Sequence, residues 1–250
     1  MFPLKDNLPT ERFPIVTVTL IVANIVAFLW SLGDGGDLLS GPAAGFVFDW
    51  GFVPYEAQHP GEQCVPRGDQ VVCGDIDGQP SLVVTAFTSM FLHGGLLHFG
   101  GNMLFLWVFG NNVEDGMGRL RFIAFYLGGG LAAILGQLLV SGGDPVPLIG
   151  ASGAVAAVLG GYLLLHPRAR VVTLVFIILF FTIIEIPAMF FLGIWFLQQL
   201  LFGYFDLTNP TGEGGGVAYF AHVGGFVFGL LLVRAFARRG GAARRPDPVY

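Results

Sequence analysis

Apolar runs recur along this chain at lengths that fit repeated membrane crossings, separated by short polar or glycine-rich breaks. The first runs from Ile15 to Leu32. A second begins at Leu82, passes through His93-Gly94-Gly95-Leu96-Leu97-His98-Phe99-Gly100-Gly101-Asn102, and ends at Gly110. A third covers Leu120 to Val140 and a fourth Ala151 to Leu165, ending at His166-Pro167-Arg168. The stretch from Val171 to Phe202, broken by Glu185 and Pro187, is too long for one straight crossing. Its first part reads as interfacial and the part after Pro187 as a fifth span. The last span covers Val217 to Ala237. The pattern predicts an all-α polytopic membrane protein with a six-transmembrane-helix bundle.

The breaks divide the chain further. Residues 1–13, with Pro3 and Pro9, form a polar lead; residues 14–237 form the membrane domain; residues 238–250 form a basic tail. Within the domain, residues 33–82 make a long exterior loop holding Phe46, Phe48, Trp50, Phe52, Val53 and Tyr55. That cluster is too apolar for a free linker and is expected at the membrane interface.

Charge changes the picture by supplying a direction. Lys5, Arg12, Arg119, Arg121, Arg168, Arg170, Arg234, Arg238, Arg239, Arg244 and Arg245 fall on one side of a six-helix chain, and only Arg67 falls on the other. The positive-inside tendency places both termini in the cytoplasm, in a plasma (inner) membrane. The acidic residues of the first loop, including Asp34, Asp69 and Asp77, then face outside. Cys64 and Cys73 lie in the same loop, where an oxidising exterior favours an internal disulfide. A hydrophobic share of 54% against 12% charged residues excludes an ordinary soluble domain, and no nucleic-acid partner is expected.

Ser152 stands at the start of the fourth span, in Gly150-Ala151-Ser152-Gly153. From Ala151 to Leu165 that helix covers roughly 22 Å at ~1.5 Å per residue, less than a hydrocarbon core of ~30 Å. Its serine is therefore expected below the outer surface. Ser152, Ala156 and Gly160 present small residues at a spacing of four, and Gly225 and Gly229 do the same after His222 on the last span. Close packing of the two faces would bring His222 within reach of the Ser152 hydroxyl as a base. His98 and Asn102, also four apart, share a face of the second span and offer side-chain donors to an oxyanion. No intramembrane carboxylate stands near enough to orient His222, so the arrangement is a dyad.

The Gly-Ala-Ser-Gly piece on the fourth span, His93, His98 and Asn102 on the second, and Ala221-His222 with Gly225 and Gly229 on the sixth together resemble the rhomboid intramembrane serine proteases. The resemblance covers about residues 83–237 and, by position, the first span. It implies Ser152 as nucleophile, His222 as general base and acid, and His98 and Asn102 as oxyanion donors. It also implies transmembrane proteins as substrates, a lipid bilayer as the setting, and no metal or cofactor.

Two departures stand out. Ala156 occupies the position where many members carry a tyrosine that stacks on the catalytic histidine, and the first loop lacks the Trp-Arg pair often found there. Two alternatives are a non-catalytic rhomboid-like binder of membrane segments and a metal site built from His93, His98 and His222, although no His-Glu-x-x-His pairing is present. His93 reads as a residue that anchors the entry to the second helix. Glu185 reads as a partner for backbone freed by Pro187.

Overall fold

The computed structural model describes residues 1–33, 35–68, 70–76, 78–177, 180–208 and 217–238. Asp34, Asp69, Asp77 and the basic tail from Arg239 onward lie outside the described residues. The principal helices are α1 (Ile15–Ser31), α7 (Arg119–Ser141), α8 (Ser152–Leu165), α9 (Ala188–Thr208) and α10 (Tyr219–Phe236). Between α1 and α7 come α2 (Ala44–Trp50), α3 (Pro54–Gln58), α4 (Leu82–Thr88), α5 (Leu96–Phe105) and α6 (Asn111–Met117). A single wide helical turn, Leu106–Gly110, joins α5 to α6.

Of these, α7, α9 and α10 are long and apolar enough to cross a membrane. Leu82–Phe91 and Leu96–Met117, bent by 83°, would make a fourth crossing as a pair, while α1 and α8 are shorter apolar helices of 17 and 14 residues. The chain is an integral membrane protein.

Helix α8 is the core element. Ala154, Ala156, Ala157, Val158, Leu159 and Tyr162 are all at most 1% exposed. Such burial is possible because small residues let the neighbouring backbones approach. A Cβ on Gly225 of α10 would lie 2.1 Å from the Gly153 carbonyl oxygen, and one on Gly229 would lie 2.1 Å from that of Ala157. Packing of this kind, rather than exclusion from water, holds helices together where lipid is the solvent. On its other side α8 meets α7, where a Cβ on Gly129 would strike the Ala157 methyl at 2.3 Å.

The expectation of an all-α fold requires correction. β4 (Arg170–Ile177) and β5 (Phe180–Pro187) pair antiparallel as the two arms of a hairpin. The supposed polar lead contributes β1 (Phe2–Asp6), which pairs antiparallel with β4 in a sheet of order β1-β4-β5. The cause is composition. Val171, Val172, Thr173, Val175, Thr182, Ile183, Ile184 and Ile186 are β-branched and favour extended backbone. The hairpin leaves Phe176, Phe180 and Phe181 largely exposed. Glu185 pairs with Arg170 across the hairpin at 3.3 Å, so its partner is a side chain rather than backbone released by Pro187.

The first loop is folded onto the protein. Phe46, Phe48, Phe52 and Val53 are buried against the rest of the protein. Phe52 exchanges both backbone hydrogen bonds with Leu148, and the Tyr55 N–H donates to the Asp144 carbonyl. The loop thus braces the segment that leads into Ser152. Strands β2 (Gln63–Arg67) and β3 (Gln70–Gly74) form a second hairpin in which Cys64 and Cys73 face each other and are joined by a disulfide.

Candidate active site

Ser152 owes its position to a glycine and two anchors. Gly150 has φ +128°, a conformation that L side chains rarely adopt, and this lets the chain turn into α8. The Gly150 N–H donates to the Ser89 carbonyl at 2.8 Å, and the Ala151 N–H donates to His93 Nε2 at 3.4 Å. His93, fully buried, therefore holds the approach to the serine. Among the described residues no side chain caps the N-terminus of α8, whose positive end lies beside Ser152.

Across the α8–α10 contact, His222 Nε2 lies 2.7 Å from Ser152 Oγ. The start of α10 is held from a third helix, because the Ala221 N–H donates to the Gln137 side-chain carbonyl of α7 at 3.2 Å. On the opposite edge of the imidazole, Nδ1 lies 2.8 Å from Gln199 Oε1 on α9. Gln199 is 7% exposed. The Trp195 ring lies one turn earlier on α9, with its centroid 5.9 Å from that of His222.

His98 comes to the same place by way of Gly150. A Cβ on that glycine would lie 2.9 Å from His98 Cε1 and Nε2 and 3.4 Å from Ser152 Oγ, so the imidazole edge and the hydroxyl share one small space. The Gly94 N–H approaches His98 Nδ1 at 3.3 Å, which makes Nδ1 the acceptor and Nε2 the N–H donor on the side toward Gly150. Asn102 is buried, and its amide donates to the His98 carbonyl at 2.9 Å. The structure therefore unites Ser152, His222 and His98, and ties Asn102 to His98 rather than to the serine.

His93 packs edge-on to His98, with ring centroids 5.2 Å apart. Among the described residues, no group of three His, Cys, Asp or Glu side chains converges as a metal site. Gln199 and Gln137 were not singled out from the sequence. Each is a strongly polar side chain inside an apolar span, and such residues are costly enough in lipid to mark a site even when they carry no charge.

A hydroxyl and an imidazole thus meet at the N-terminal end of a short buried helix. Residues 80–239 match the family described as the rhomboid domain, and the chain belongs to that family. Rhomboid protein 1, mitochondrial, of Saccharomyces cerevisiae is 30% identical over 158 residues, which cover 59% of this chain and 40% of that protein. The human presenilin-associated rhomboid-like protein, mitochondrial, is 29% identical over 150 residues, covering 58% and 36%. Rhomboid protease GluP of Bacillus subtilis is 38% identical over 76 residues, covering 30% and 14%. The aligned regions thus span less than half the length of these relatives.

Proposed function

We propose that this protein is an intramembrane serine endopeptidase that hydrolyses peptide bonds in or near transmembrane segments of other membrane proteins. The observation that carries the reading is the 2.7 Å contact between Ser152 Oγ and His222 Nε2. In this mechanism His222 Nε2 takes the hydroxyl proton as Ser152 Oγ attacks the carbonyl carbon of the scissile bond. The His98 N–H beside Gly150, the N-terminus of α8 and the second amide hydrogen of Asn102 oppose the charge that develops on the oxygen. The C–N bond then breaks, and the departing nitrogen receives the proton from His222. Water, deprotonated by the same imidazole, releases the acyl group and restores the Ser152 hydroxyl.

Six crossings, with Ser152 near one surface, follow if α1, the bent α4–α6 unit, α7, α8, α9 and α10 each count as one. The catalytic membrane unit is then residues 14–237. The clustering of arginines at the end remote from Ser152 and the disulfide at the near end support cytoplasmic termini and a plasma-membrane location. A substrate segment enters past α9, whose outward residues Phe190, Ile194, Leu197 and Leu201 are exposed. The test is incubation of the purified protein in detergent with a model transmembrane substrate. Wild type should cleave, while Ser152→Ala and His222→Ala should not. Equal cleavage by all three would sink the assignment.

A further inference from the structure

We propose that Gln199 is the positioning residue of this site: its side-chain carbonyl fixes the tautomer and orientation of His222, from a helix that carries neither member of the dyad. The inference rests on the serine-protease reading above and deepens it.

An imidazole acts as a base toward Ser152 only if Nε2 is unprotonated and aimed at the hydroxyl, which requires the proton on Nδ1 and something to hold it there. Position 156 is alanine and supplies no ring to stack on His222. Gln199 Oε1 lies 2.8 Å from Nδ1, in line with the second requirement.

The orientation of the amide is determined by its other end. Gln199 Nε2 lies 3.4 Å from the Trp195 carbonyl oxygen, an acceptor only. With the amide turned over, two carbonyl oxygens would face each other there, so the N–H end belongs on Trp195 and the oxygen on His222. Nδ1 must then donate, and Nε2 presents its lone pair to the Ser152 O–H at 2.7 Å. The chain Trp195 carbonyl, Gln199, His222, Ser152 has one consistent set of donors and acceptors. It places the proton where a general base needs it.

A neutral amide does this differently from a carboxylate. It selects the tautomer without adding charge, so it leaves the imidazole free to shed its proton in an apolar surrounding, where an ion pair would carry a desolvation cost. Because Gln199 belongs to α9 and His222 to α10, the base is correctly set only while the two helices are seated together. Gln199 lies on the buried face of α9 with Phe191, Leu192 and Gly203. Outward movement of α9 would withdraw the acceptor.

The experiment compares wild type, Gln199→Leu and Gln199→Glu for cleavage of a model transmembrane substrate across pH, with labelling by a fluorophosphonate as a readout independent of substrate binding. Gln199→Leu should lower kcat by about tenfold or more, the scale of one oriented hydrogen bond, with KM nearly unchanged and labelling slowed in parallel. Gln199→Glu should recover most of the rate, with the acid limb of its profile moved to higher pH, because a carboxylate beside Nδ1 keeps the imidazole protonated longer. Thermal melting of each variant separates loss of fold from loss of orientation. Wild-type kcat in Gln199→Leu, or an unshifted acid limb in Gln199→Glu, would overturn the proposal. A wild-type protein that neither cleaves nor labels would instead remove the parent reading.

Discussion

The carbonyl oxygen of Gly153 fills the space that a side chain at Gly225 would need: a Cβ built on Gly225 lies 2.1 Å from it. This contact sets the depth at which α10 meets α8, and hence the reach of His222 to Ser152. Gly225→Ala should force the helices apart, costing about 1 to 3 kcal/mol of stability as an overpacked site and a larger fraction of the activity. Cleavage rate and thermal melting, measured together, check this. An active, fully stable Gly225→Ala protein would show that helix spacing does not govern the site.

The second prediction concerns the oxyanion. His98→Ala should lower kcat by about 10²- to 10³-fold while leaving the melting temperature close to that of wild type, since the ring edge faces the Gly150 space rather than the core. Asn102→Ala should show a mixed loss, because its amide also ties into α5 through the His98 carbonyl. Parallel kinetics and melting of the two variants distinguish the roles.

The third arises at the far end of the bundle. Asp6 accepts hydrogen bonds from the Tyr162 hydroxyl at 2.5 Å and the Asn112 amide at 2.7 Å, yet burial raises its pKa above the ordinary 3.8. A carboxyl whose folded pKa is raised favours folding below the unfolded value and loses that contribution as pH rises through the folded value. Wild-type stability should therefore decline over that window above pH 3.8, and Asp6→Asn, which keeps an acceptor oxygen without the charge, should flatten the decline. Chemical denaturation in detergent at a series of pH values measures both slopes.

The disulfide supplies a fourth. Replacing Cys64 and Cys73 by serine opens a loop with a sequence separation of nine and should cost about 2 to 3 kcal/mol in the stability of the β2–β3 hairpin. The contacts of Phe52 with Leu148 and of Tyr55 with Asp144 lie outside that loop and should keep the Ser152 approach in place. Limited proteolysis of the hairpin, set beside cleavage activity, reads the two effects separately.

Much of the site was legible because its determinants are local in sequence. The spacing of Gly225 and Gly229, the small face of α8 and its shortness all point to a close helix contact, and that contact is present. The Cys64–Cys73 pair was legible for the same reason. The hairpin after α8 was not. A continuous β-branched apolar run reads equally as buried helix or strand when nothing at its ends decides, and pairing of β4 with residues 2–6 depends on a partner far away in sequence. Gln199 escaped because a search for a charged partner to His222 passes over a neutral amide, and only the packing of α9 on α10 brings the two together. The burial of Phe52 was hidden likewise, since its partner Leu148 belongs to another loop.

The most direct test of a Ser152 hydroxyl activated by His222 is intact-mass analysis after exposure to a fluorophosphonate in detergent, with peptide mapping of the adduct. The account predicts one adduct per chain, on Ser152, absent from Ser152→Ala and strongly reduced in His222→Ala. Labelling that persists in both variants, or an adduct mapped to another residue in the wild type, would contradict it.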